Sequence, residues 1–100
     1  MQNEQNLKIY ILAAEIVPFA KAGGMADVVG ALPKELKALG HDVRLVMPRY
    51  GQVQPERFHL QPVFEALPVK IGLYQEQVRV FQGAIGEDIP VYFIDAPRYF

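Results

Sequence analysis

Lys21, Gly23 and Gly24 are the residues of this chain whose types and spacing could do chemistry, and that chemistry is the holding of an anion. They lie within residues 15–33, EIVPFAKAGGMADVVGALP, between an apolar run over residues 7–14 and an amphipathic pattern over residues 25–39. This succession reads as strand, loop and helix. The first backbone N–H groups of a helix lack intrahelical partners, so they point at whatever lies over the end of the strand. Adjacent glycines let a ligand approach the backbone closely. Lys21 adds a reason of its own: a cation beside a helix N-terminus is disfavoured by roughly 0.3–1 kcal/mol unless something negative lies between them. A phosphate group satisfies all of these conditions.

The elements that must position the loop follow in chain order. Ile9, Tyr10, Ile11 and Leu12 succeed one another without strict alternation, as in a parallel strand covered on both faces. Pro18 ends any continuation and biases Val17 toward an extended backbone. Met25, Val28, Val29, Leu32, Leu36 and Leu39 recur with the period of one helical face, which is expected to pack on the sheet. A proline costs about 3 kcal/mol in an undisturbed helix interior, so Pro33 predicts a kink or a fresh start near Leu32. Gly40 stands where a left-handed cap belongs, and Val43, Leu45, Val46 and Met47 then form a second buried strand stopped by Pro48. Together these make a right-handed βαβ unit.

Residues 48–68 change character, with Pro55, Pro62 and Pro68 among glutamines and charges, and read as an irregular excursion holding one short strand over residues 58–64. Residues 69–71 and 78–81 alternate apolar and polar side chains, as half-exposed antiparallel strands do. Gly83, Gly86, Glu87 and Asp88 supply turn chemistry before another buried strand over residues 91–94. The expected fold class is α/β and Rossmann-like, a mainly parallel sheet carrying an antiparallel insertion. A doubly wound sheet needs more strands than these, so residues 1–100 are expected to be an incomplete domain, the front of a larger one.

Composition excludes several classes. The 100 residues suffice for one small domain, and 51% apolar with 21% charged residues is a globular balance. A formal net charge of −1 gives no reason to expect nucleic acid or an acidic membrane surface as partner. Cysteine is absent, and His41 and His59 lack ligand spacing, so no metal site is expected. The opening MQNEQN has no basic residue, and the apolar run after it includes Lys8 and is too short for a signal-peptide core or a membrane span. A cytoplasmic protein is the expectation. No G-x-G-x-x-G follows the first strand, and Met47, Pro48 and Arg49 stand where a nicotinamide site would place an acid. A Walker loop, a nucleophile elbow and an H-E-x-x-H motif are absent as well.

The run KAGGMADVVGALPKELKALGHDVRLVMPRYG, preceded by AAEIVPFA, resembles the N-terminus of the bacterial glycogen synthases and plant-type starch synthases. Their signature is Lys-X-Gly-Gly-Leu followed by Ala/Gly-Asp-Val. The close match covers residues 8–51, with looser similarity of strand pattern beyond. Ala22 stands where threonine is frequent and loses a hydroxyl; Met25 stands where leucine is usual and conserves volume.

The resemblance implies a two-domain GT-B glycosyltransferase with its active site between two Rossmann-like domains, of which this chain would be the first part, without the C-terminal domain. It implies transfer of glucose with retention from ADP-glucose, or UDP-glucose in some relatives, to the non-reducing end of an α-1,4-glucan, glycogen or starch. Lys21, Gly23, Gly24 and Asp27 would bind the donor, no metal or other cofactor would be needed, and most catalytic residues would lie beyond Phe100. Plainer readings stand beside these. A loop lysine is commonly solvated, and both glycines could simply shape a turn. Asp27 either complements the helix dipole or faces the sugar of the donor. Glu15 either meets the ligand at the strand's carboxyl end or pairs with Lys21, and His41 reads as a turn or capping residue before a catalyst. A phosphate- or nucleotide-binding module without transferase activity, and a purely structural α/β domain, are the alternatives from other classes.

Overall fold

In the computed structural model, residues 6–16, 18–19, 24–51, 53–86 and 88–96 are described. Strand β1 (Lys8–Leu12), helix α1 (Met25–Ala38) and strand β2 (Asp42–Pro48) come first, followed by the one-turn helix α2 (Pro55–Phe58) and strands β3 (Gln61–Ile71), β4 (Tyr74–Ile85) and β5 (Ile89–Asp95). The strands form one sheet in the order β1-β2-β5-β4-β3. β1 and β2 run parallel from Lys8↔Asp42 to Leu12↔Val46, and β2 and β5 run parallel from Leu45↔Val91 to Pro48↔Ile94. β4 pairs antiparallel with β5 and with β3. The expected parallel sheet with an antiparallel insertion is therefore present, the β3–β4 hairpin being inserted in sequence between the parallel partners β2 and β5 and lying beyond β5 in the sheet.

Period-two burial identifies the core. Val43, Leu45 and Met47 of β2 and Ile89, Val91 and Phe93 of β5 are buried, and Ile16, Phe19, Val29, Val53 and Leu60 close over most of them. A smaller cluster of Val78, Val80 and Ala96 gathers with Leu67, Val69, Tyr92 and Ile94. Gly83 belongs to β4 and not to a turn, against the sequence expectation. A Cβ there would stand 2.6 Å from Leu60 Cδ2 and 3.4 Å from Phe93 Cε2, so its job is to let Leu60 onto the sheet.

Helix α1 runs unbroken through Pro33, so of the expected kink or fresh start the fresh start near Leu32 is absent, and the proline ring is fully buried. Burial of the ring offsets part of the backbone bond that proline forfeits. The helix also touches the sheet along a narrower stripe than the apolar pattern suggested: Val29 and Pro33 are buried and Leu36 half-buried, whereas Val28 is 57% and Leu32 47% exposed. Its end matches expectation. Gly40 has φ +97°, its N–H donates to the Lys37 carbonyl at 2.9 Å, and the His41 N–H donates to the Leu36 carbonyl at 3.3 Å, which is a Schellman closure. His41 then accepts the Leu7 N–H on Nδ1 at 3.1 Å while the Asp42 N–H donates to the Leu7 carbonyl at 2.9 Å. The histidine stitches β1 to β2.

Two strand readings need correction. β1 is not covered on both faces: none of its residues is buried and Leu12 is 75% exposed. The irregular excursion is shorter than expected, because β3 begins at Gln61 and carries both Pro62 and Pro68. An edge strand tolerates proline, since one row of its N–H groups has no partner to lose, and the register shifts near Pro62 and Phe64 absorb the misfit. The hairpin turns on Gly72, φ +60°, and Leu73, with Ile71 paired to Tyr74. Positive φ at the first of two loop residues is where glycine belongs in a tight hairpin. Among the described residues no helix is long and apolar enough to cross a membrane.

Candidate functional site

The parallel strands β1, β2 and β5 end side by side, and the segment leading to α1 starts there. Past β1 the Ala13 N–H still donates to the Val46 carbonyl at 3.0 Å. Ala14 follows, its carbonyl accepting the Tyr50 hydroxyl at 2.9 Å. Glu15 is half-buried at this exit and has an interaction partner. Ile16 and Phe19 then sink into the core, joined by a turn in which the Phe19 N–H donates to the Ile16 carbonyl at 2.8 Å. The Phe19 ring meets Phe58 and Phe93 edge-on, with centroids 5.0 and 4.8 Å apart. Two apolar side chains on either side of Pro18 thus pin the segment that leads to the glycine pair.

Of the four residues expected to bind the donor, Lys21 and Gly23 lie outside the described residues. Gly24 is the N-cap of α1, at φ −74° and ψ −18°, a backbone open to any residue, and among the described residues nothing lies within 4 Å of where its Cβ would be. Among the described residues no side chain caps the helix start, and Asp27 is the acidic residue of its first turn, its N–H donating to the Gly24 carbonyl at 3.2 Å. An uncapped start leaves helix N–H groups for water or a ligand. Asp27 is exposed and engaged in an interaction, and it lines a groove with Pro18, Lys34, Glu35 and Ile85. That groove shares no described residue with the open apolar hollow of about 430 Å³ at the strand ends, lined by Leu12, Ala13, Ala14, Val46, Met47, Pro48 and Ile94.

A charged cluster at the ends of β2 and β5 escaped the sequence reading. Asp95, only 3% exposed, accepts Arg79 Nε at 2.9 Å and Nη2 at 2.6 Å on one oxygen, while Arg49 Nε stands 4.0 Å from the other. That separation permits charge attraction but no hydrogen bond, and Arg49 Nε is buried without a hydrogen-bond partner. Both guanidinium groups lie over the Phe81 ring, at 5.9 and 5.3 Å from its centroid. The available signal was an acid closing an otherwise apolar strand, IPVYFID. On β2, Arg44 has its pKa raised by its hydrogen bond to Asp42, and next by that to the Tyr92 hydroxyl. No group of His, Asp or Glu side chains among the described residues has metal-binding geometry.

Parallel strands ending together beside a glycine-led helix start define an α/β domain of the kind that takes ligands at the carboxyl ends of its strands. Residues 8–100 match the family model of the starch synthase catalytic domain, and the chain belongs to that family. It is 50% identical over 98 residues to glycogen synthase 1 of Geobacter metallireducens, covering 96% of this chain and 20% of that protein. It is 47% identical over 94 residues to the glycogen synthase of Syntrophotalea carbinolica, covering 94% and 19%. The catalytic domain of starch synthase IV from Arabidopsis thaliana, solved bound to ADP and acarbose, superposes with a TM-score of 0.78 at 32% identity, over 90% of this chain and 18% of that one. The chain spans about a fifth of the length of the curated relatives it matches.

Proposed function

We propose that this chain is the front part of the N-terminal domain of a cytoplasmic glucan synthase of the two-domain GT-B type. The enzyme moves glucose with retention from ADP-glucose to the non-reducing end of an α-1,4-glucan. The observation that carries the reading is the likeness of residues 8–100 to the starch synthase catalytic domain. The start of α1 directly after the glycine pair, without a side-chain cap among the described residues, supports it. In the reaction the bond from the glucose anomeric carbon to the diphosphate oxygen breaks, and the diphosphate leaves with added negative charge. A lysine and fixed backbone N–H groups aimed at its oxygens bind that charge more tightly in the transition state than in the ground state, which is what lowers a barrier. Lys21, Gly23, Gly24 and the first turn of α1 supply these groups in the proposal, and Asp27 faces the sugar.

The test is glucan elongation by the full-length protein, with labelled ADP-glucose as donor and glycogen as acceptor. Label is expected in α-1,4 linkage at non-reducing ends, and none from residues 1–100 alone, because the cleft needs a second domain. Binding of ADP-glucose without elongation would leave only a nucleotide-sugar-binding module. Gly24→Val in the full-length protein examines the loop directly. Its side chain would meet none of the described residues, so stability should change by no more than about 1 kcal/mol. Close approach of a phosphate would be blocked, and kcat/KM for ADP-glucose should fall by on the order of tenfold or more. Unchanged kinetics with a large loss of stability would make Gly24 a residue of the fold alone.

A further inference from the structure

Tyr50 ties the exit of β2 to the exit of β1. Its backbone is fixed from both sides: the preceding Arg49 N–H donates to the Ile94 carbonyl at 2.9 Å, and the Tyr50 carbonyl accepts the N–H of the fully buried Val53 at 2.9 Å. From that base the phenol reaches Ala14, 36 positions earlier, and donates to its carbonyl at 2.9 Å. Ala14 lies just beyond the Ala13 bond to β2 and just before Glu15, with one isolated bridge still to come at Ile16. The next fixed points are the buried side chains of Ile16 and Phe19. At its origin the departing backbone is thus held by a side-chain hydrogen bond from a neighbouring strand's exit, ahead of the two buried anchors.

We propose that Tyr50 is a positioning residue for donor binding: its hydroxyl holds the Ala14 carbonyl and so aims the chain that leads to Gly24, without itself touching the substrate. The proposal rests on the glucan synthase reading, and its test separates the two. In the full-length protein, Tyr50→Phe removes the hydroxyl and keeps the ring. Hydrogen exchange of the amides in residues 15–19 should quicken roughly 2- to 12-fold, as expected for the loss of one ordinary hydrogen bond, with the amides of β5 unchanged. The kcat/KM for ADP-glucose should fall by a similar factor, with KM for the glucan unmoved. A cycle with Lys21→Gln supplies the reading that a merely structural role would not give. If Tyr50 acts by aiming the loop, its loss costs little further once Lys21 is gone. Unchanged exchange at residues 15–19, exchange quickened equally in β5, or full additivity with Lys21→Gln would each overturn the proposal. Lys21→Gln without kinetic effect would instead sink the phosphate-loop reading, and the exchange measurement still decides whether Tyr50 holds the segment.

Discussion

Replacing Lys21 with glutamine in the full-length protein is expected to lower kcat/KM for ADP-glucose roughly 10- to 150-fold, the equivalent of the 1.5–3 kcal/mol carried by a charge-assisted hydrogen bond. Length and polarity are kept, so the loss isolates the charge. Thermal unfolding should hardly move. The start of α1 has no side-chain cap among the described residues, and removing a cation from its neighbourhood would stabilise the unliganded protein by about 0.3 kcal/mol if it has any effect. Lys21→Arg should restore part of the activity and no more, because a planar guanidinium cannot take the place of a compact ammonium without moving the phosphate. Donor-saturation kinetics and thermal unfolding on the three proteins decide the matter. Parent-like turnover by the glutamine variant would make Lys21 a solvated loop residue.

The second large effect is expected at Asp95 and concerns stability. Asp95→Ala leaves Arg49, with its buried Nε, and Arg79 without their shared counter-charge above Phe81. Breaking a buried pair by removing one partner costs about 3–5 kcal/mol, and the lower end applies because the Arg79 side chain is 48% exposed and water can take over part of its solvation. A loss of about 3 kcal/mol is therefore predicted in the opening free energy of the β5 amides, read by hydrogen exchange in the full-length protein. Asp95→Asn should lose less, since it keeps one acceptor for Arg79. A change below about 1 kcal/mol would mean that solvent screens the cluster as it does a surface ion pair.

What could be read from the sequence was what is local. The β1–α1–β2 unit, the glycine closure at Gly40 and the buried strand before Asp95 each announce themselves within a dozen residues, by period, cap or apolar run. What failed depends on neighbours that no window contains. Pro62 and Pro68 looked like breakers because their place at the sheet edge is a tertiary fact, and Gly83 looked like a turn because Leu60 packs on it from the far end of the hairpin. The helix stripe was drawn too wide because Val28 and Leu32 are apolar yet face away from this sheet. At the candidate site the glycine pair and helix start were legible, since spacing alone marks them. Tyr50, Arg49 and Asp95 were not, because each acts through a partner on another strand's exit.

The two rims of the sheet differ in what they can accept. β3 presents prolines at positions 62 and 68, which offer no N–H to an incoming strand, and its register shifts twist the rim out of plane. β1 has neither device: KIYIL is short, contains no proline, and pairs with β2 in unbroken register. Its outer row of amide and carbonyl groups is a template for whatever extended segment arrives first. Growth of the sheet is thereby polarised, closed beyond the hairpin and open beside the strand that delivers the chain to the glycine loop. The same openness makes that rim the point at which this segment, expressed by itself, would self-associate.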